Sequence, residues 1–134
     1  QWNLVDNKDL CYHYLGDFDK EMLKTIKSEK NFNKTPVVEI WHNDGDQVLA
    51  YMRGDLLFVF NFSPTRSFTD YGFLVPTGAY SVVLDTDNKA FGGNGLNDDE
   101  MTHLTNYDPV YVNDRKEWLK LYLPARSALV LKKN

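Results

Sequence analysis

Up to about residue 35 apolar positions recur every three to four residues, and from Pro36 onward they alternate with a period of two, so a helical opening gives way to a β region. In the opening, Asp6 is placed to cap a short helix carrying Leu10, Cys11, Tyr14 and Leu15 on one face, with Gly16 as its end. A second helix is expected from Asp17 or Asp19, with Phe18, Met22, Leu23 and Ile26 as its apolar stripe. Its late Lys24 and Lys27 lie where the helix dipole favours cations. The β region predicts strands at Val37–Trp41, Gln47–Arg53, Leu56–Phe62, Ser67–Tyr71, Gly78–Asp85, Val110–Val112, Glu117–Leu123 and Ser127–Lys132. Asn43-Asp44-Gly45-Asp46, Arg53-Gly54-Asp55 and Asn113-Asp114-Arg115 have the composition of tight hairpin turns.

Two of these strands carry a message about burial. Glu117–Leu123 puts Leu119, Leu121 and Leu123 on one face and Trp118, Lys120 and Tyr122 on the other, so its outer face is partly wet. Leu56–Phe62 does not alternate, which predicts cover on both faces. The helical opening is the cheapest cover, and a neighbouring domain is the other. The expected fold is mainly β: an antiparallel two-sheet β-sandwich of about eight strands over residues 36–134, preceded by an α-helical pair within residues 1–35. Its expected core is Leu57, Val59, Val82, Leu84, Leu119, Leu121, Leu129 and Leu131. Residues 88–108 are expected to form a long surface loop.

Composition narrows the chemistry. The 134 residues hold 15 Lys plus Arg against 19 Asp plus Glu, a net charge of −4, and no stretch concentrates basic residues beyond Lys132–Lys133, which argues against a nucleic-acid partner. The longest apolar run, Leu56 to Phe60, is far short of the ~20 residues of a membrane span. A single cysteine, Cys11, allows no internal disulfide and leans towards a reducing, cytoplasmic setting. The opening Gln1-Trp2-Asn3-Leu4 has no secretion-signal grammar and reads like part of something longer.

Familiar catalytic and metal patterns are mostly missing. Asp85 and Asp87 start like a calcium loop, but Ala90 stands where such a loop needs glycine and Leu96 where it needs a bidentate Glu, so turn capping is the better reading. Gly92-Gly93-Asn94-Gly95 lacks the Gly-Lys-Ser/Thr ending of a phosphate loop. His13, His42 and His103 have no metal-binding spacing, and no metal or cofactor is expected. Asp98-Asp99-Glu100 reads as a solvated acidic face. The sequon at Asn61 falls in a strand expected to be buried. What remains is a set of rings near turns, namely Tyr71, Phe73, Phe91, Tyr107 and Tyr111, with Asn88, Asn94, Asn97 and Asp108 close in sequence. An exposed ring covers the apolar C–H face of a sugar while amides and carboxylates take its hydroxyls, so these are the candidate carbohydrate-binding residues.

Leu57-Phe58-Val59-Phe60-Asn61-Phe62-Ser63-Pro64, followed by Ser67, Asp70 and Tyr71, resembles the start of the C-terminal β domain of glycogen and starch branching enzymes, in the α-amylase superfamily. The order continues through Pro76, Gly78 and Tyr80, Val83-Leu84-Asp85-Thr86-Asp87, Phe91-Gly92-Gly93 and Leu123-Pro124-Ala125-Arg126. Trp2, Leu4-Val5-Asp6, Leu10, Tyr12, Leu15, Phe18-Asp19 and Met22 resemble the helices that close the family's catalytic barrel. Between Asn94 and Lys116 the chain departs from the pattern. The resemblance implies a domain whose parent moves α-1,4-glucan segments onto 6-hydroxyls through a covalent glycosyl-enzyme intermediate. It implies no catalysis by this chain, because no position matches the family's catalytic Asp, Glu and Asp. The implied partners are the parent's barrel and, as an auxiliary contact, α-1,4-glucan. An independent carbohydrate-binding module and a purely structural β domain are the alternatives.

Overall fold

A computed structural model describes residues 12–29, 34–108 and 116–134. Among the described residues one α-helix, α1 (Tyr12–Ser28), precedes nine strands. These are β1 (Val37–Asn43), β2 (Val48–Arg53), β3 (Leu56–Asn61), β4 (Phe68–Leu74), β5 (Ala79–Asp85), β6 (Thr102–Leu104), β7 (Asn106–Tyr107), β8 (Glu117–Leu123) and β9 (Ser127–Lys133). They form two antiparallel sheets, a six-stranded one ordered β1-β2-β3-β9-β5-β6 and a three-stranded one ordered β4-β8-β7. The expected mainly β, sandwich-like fold is therefore what the chain adopts.

Side-chain alternation builds the core between the sheets. Leu57, Val59, Leu129 and Leu131 face inward from the large sheet, and Phe73, Leu119, Leu121 and Leu123 meet them from the small one. Burying such side chains contributes about 1.5–3 kcal/mol each. Trp118, Lys120 and Tyr122 lie half-buried on the other face of β8, as its alternation requires. Tyr80 is wholly buried and its hydroxyl donates to the Pro76 carbonyl oxygen at 2.7 Å, tying the start of β5 to the turn before it. Burial pushes its hydroxyl pKa up to about 12, with Asp55 adding to the shift, so the donor role holds across the working pH range.

The unalternating β3 run is covered on both faces. Leu57 and Val59 enter the main core, while Leu56 and Phe58 join Leu84 and Val130 in a second cluster against which Met22 of α1 and Phe91 pack. The helix end is tied to the same sheet by Lys132 Nζ and Glu29 Oε1, 2.8 Å apart.

Four expectations need correction. Among the described residues α1 runs unbroken through Gly16, where a helix was expected to end. Residues 14, 18, 22 and 26 continue one stripe across that glycine, and a mid-helix glycine costs only about 1 kcal/mol relative to alanine. Residues 1–11, including the expected helix start at Asp6, lie outside the described residues. Leu84 belongs to the second cluster instead of the main core, and Val82 is only partly buried against the latter, because a register shift between them turns the strand. The expected loop at 88–108 contains the 3-10 turn Lys89–Phe91 and strands β6 and β7. β4 reaches Leu74 instead of ending at Tyr71, with a register shift between Phe68 and Tyr71 and a left-handed Asp70 at φ 52°. The strand expected at Val110–Val112 and the turn at Asn113–Arg115 lie outside the described residues.

Candidate functional site

β1 and β4 are edge strands of different sheets, and where they approach they leave a cleft of about 390 Å³ lined by Ile40, Trp41, residues 68–74 and Trp118. That size falls within the usual range of small-ligand sites. Trp41 pairs with Ala50 across β1 and β2. At this rim Trp41 stays 45 % exposed. Its orientation is fixed by a polar relay. Trp41 Nε1 donates to Tyr71 Oη at 2.9 Å, and Tyr71 Oη donates to Asp46 Oδ2 at 2.8 Å. Asp46 Oδ1 in turn accepts from Arg66 Nη2 at 3.3 Å, and the Arg66 guanidinium lies 4.8 Å from the centre of the Phe68 ring. Burial, followed by smaller and opposed effects of Trp41 and Asp46, raises the Tyr71 pKa, which keeps its hydroxyl a donor. Phe68 and Phe73 flank Tyr71, each with ring centres 5.2 Å away. Gly72 leaves room for Trp118, whose ring would be 3.4 Å from an added β-carbon.

The five rings singled out by sequence do not form one site. Tyr71 lines the cleft. Phe73, although it borders the cleft, is 1 % exposed and packed into the main core, so it presents no face to a sugar; this corrects its candidacy. Phe91 is half-buried against the second cluster, beyond the large sheet from the cleft. Tyr107 is 61 % exposed on β7. Tyr111 lies outside the described residues. Sequence reading missed Trp41, because an apolar residue in a strand reads as core, and it saw Asp46 only as a turn former.

A second, more polar cleft of about 440 Å³ lies between α1 and the segment after β5. Here the acidic residues serve the backbone. Asp85 Oδ1 accepts from the Asp87 amide at 2.8 Å, and Asp87 accepts from the amides of Asn94 and Leu96, both at 3.0 Å. The Asn88 side chain caps the 3-10 turn by accepting from the Ala90 amide at 2.8 Å and donates to Asp99 Oδ2, also at 2.8 Å. This is the turn-capping arrangement, and among the described residues no group of three or more His, Cys, Asp or Glu is placed to hold a metal. Asp85 is 2 % exposed and faces Asp99. Burial first, then the hydrogen bond with Asp99, pushes its pKa up to about 7, so at neutral pH the pair holds a proton for part of the time. Burial also lowers the pKa of His103 on β6, against the opposing pull of Asp98 and Asp99.

The described helix is not long and apolar enough to cross a membrane. A family model described as "Alpha amylase, C-terminal all-beta domain" matches residues 40–134. Among curated proteins the chain is 43 % identical over 133 residues to a 1,4-alpha-glucan-branching enzyme of Emericella nidulans, covering 98 % of this chain and 19 % of that protein. It is 38 % identical over 134 residues to one of Rhizophagus irregularis, covering 98 % of this chain and 19 % of the relative. To one of Saccharomyces cerevisiae it is 38 % identical over 133 residues, again 98 % of this chain and 18 % of the relative. The chain thus spans about one fifth of the length of the relatives it matches. The match runs from within β1 to the end of the chain and so takes in both antiparallel sheets, and the chain belongs to the α-amylase C-terminal all-β domain family.

Proposed function

We propose that this chain is the C-terminal domain of a 1,4-α-glucan branching enzyme, and that it packs against and stabilises a catalytic barrel supplied by the rest of the parent. The observation that carries this is the match over 98 % of the chain, at 38–43 % identity, to relatives bearing that name. α1 supports the scaffold role. Met22 turns inward to the sheet, while Leu23 on the same helix is left 55 % exposed and open to contact with the rest of the parent. In this reading residues up to about 35 finish the barrel and residues from 36 onward form the β domain. The parent is a transferase of glycogen or starch biosynthesis acting in the cytoplasm, and the single cysteine suits that compartment.

The chain by itself is proposed to be catalytically inert, since it matches the C-terminal all-β domain and spans only about one fifth of the length of its relatives. Incubating the purified chain with amylose is expected to leave both the iodine stain and the number of branch points unchanged. New branch points would overturn the assignment of catalysis to the rest of the parent. An auxiliary α-glucan contact is part of the reading, with Tyr71 and the exposed Tyr107 the rings available for it among the described candidates. A free-standing carbohydrate-binding module is the second reading, and the open cleft between β1 and β4 is the observation that favours it.

A further inference from the structure

We propose that the cleft between β1 and β4 is the α-1,4-glucan site of this domain, with the Trp41 ring as the stacking platform for a glucosyl residue. The proposal rests on the branching-enzyme reading for the identity of the sugar, and on the geometry for its place. Three features converge there. Trp41 is a large side chain left half open at the meeting of two sheet edges, and it belongs to neither core cluster. Its indole N–H is already bonded to Tyr71, and Tyr71 to Asp46, so the ring is held in one orientation before any ligand arrives. Such pre-organisation lowers the entropy lost on binding. The third feature is the polar lining: the Thr69 hydroxyl and Asp70 carboxylate stand exposed on the cleft wall, able to take sugar hydroxyls while the ring covers the C–H face. The left-handed Asp70 and the register shift beside it interrupt the regular course of β4 at this wall.

The polar cleft beside Asp85 offers no comparable platform. Phe91, its ring, is engaged by the second cluster, and its Asp85 and Asp99 are taken up by the Asp87 amide, the Asn88 side chain and one another.

The test is titration of the full 134-residue chain with maltoheptaose, followed by the indole N–H resonance of Trp41 and the surrounding amides. Saturable shifts confined to β1, β4 and Trp118 are expected. Trp41→Ala should weaken binding about tenfold or more, in keeping with the apolar area it removes, and Trp41→Phe should restore most of it. Tyr71→Phe keeps the ring but cuts the relay, and should weaken binding by about threefold; it keeps the test decisive if Trp41→Ala fails to fold. Phe62→Ala, an exposed ring outside the cleft, should leave affinity unchanged. A flat titration at millimolar sugar, shifts elsewhere, or affinity indifferent to Trp41 would overturn the site. So would a Trp41→Ala variant that aggregates only when joined to a catalytic barrel while binding sugar normally, because the cleft would then be a contact within the parent. None of these results bears on whether the domain supports branching, which activity of such a joined protein measures separately.

Discussion

Asn61 Nδ2 lies 3.1 Å from the carbonyl oxygen of Pro124, 63 residues further along the chain. The same amide group also reaches the carbonyls of Leu123 at 3.2 Å and Arg66 at 2.9 Å, while Asn61 Oδ1 accepts from the Ser63 amide at 3.0 Å. Two of the sequence segments that carry the family resemblance, Asn61–Pro64 and Leu123–Arg126, thus meet through one buried side chain. Arg126 N donating to the Ser63 carbonyl at 2.9 Å closes the junction. Because Asn61 is buried, its sequon is closed to glycosylation in the folded chain.

Replacing Asn61 by Ala strands several backbone groups away from water, at about 1–3 kcal/mol for each that finds no new partner. Asn61→Asp is expected to be worse, because a carboxylate would face the carbonyl oxygens of Arg66, Leu123 and Pro124. Urea unfolding of the two variants checks the order. Equal stability of Asn61→Asp and the natural chain would contradict the junction.

Gly93 is required by space. A β-carbon there would lie 2.1 Å from the backbone oxygen of Asp87, with no flexible side chain to move aside. Gly93→Ala is expected to cost more than the ordinary 1–3 kcal/mol of overpacking and to loosen the segment after β5. Amide exchange at Asn94 and Gly95 should rise with it, since their N–H groups bond to Asp87. A variant as stable as the natural chain would show that this turn re-forms freely.

The Asp85 carboxyl sets a pH dependence whose sign can be worked out. Its pKa is raised to about 7 in the folded chain, so between the ordinary aspartate value and about 7 the folded state binds more protons than the unfolded one. Its effect is therefore to lower stability as pH rises through that window. Asn mimics the protonated acid, so the melting temperature of Asp85→Asn minus that of the natural chain should grow from pH 5 to pH 8. A constant or shrinking difference would mean that Asp85 ionises normally. The difference reads Asp85 together with Asp99, the carboxyl that faces it.

Much of the β domain is legible in the sequence because burial leaves a pattern that local residues alone can carry. The alternating Leu119, Leu121 and Leu123 identify an inner face, and the unbroken Leu56–Phe60 run announces cover on both sides, which the main core and the Met22 cluster provide. Gly16 misleads because its small helical penalty is outweighed by a stripe that continues across it. Val82 and Leu84 have the same parity, and only the register shift, a relation to β9, separates them. The cleft is least legible. It exists because β1 and β4, edges of different sheets, come together, and because Asp46, Arg66, Tyr71 and Trp41 share bonds across 20 to 30 positions. Phe73, two residues from Tyr71 and on the same face of β4, is buried in the core, while Tyr71 is only partly buried against it.

A domain exchange tests the central claim most directly. The segment of the Saccharomyces cerevisiae relative that aligns with this chain is replaced by the chain itself, beside a version from which that segment is deleted, and branch formation on amylose is followed by iodine stain. The exchanged enzyme is expected to be soluble and to branch amylose, while the deletion aggregates or loses activity. A deletion that stays soluble and fully active, or an exchange no better than the deletion, would contradict the account of this chain as the supporting C-terminal domain of a branching enzyme.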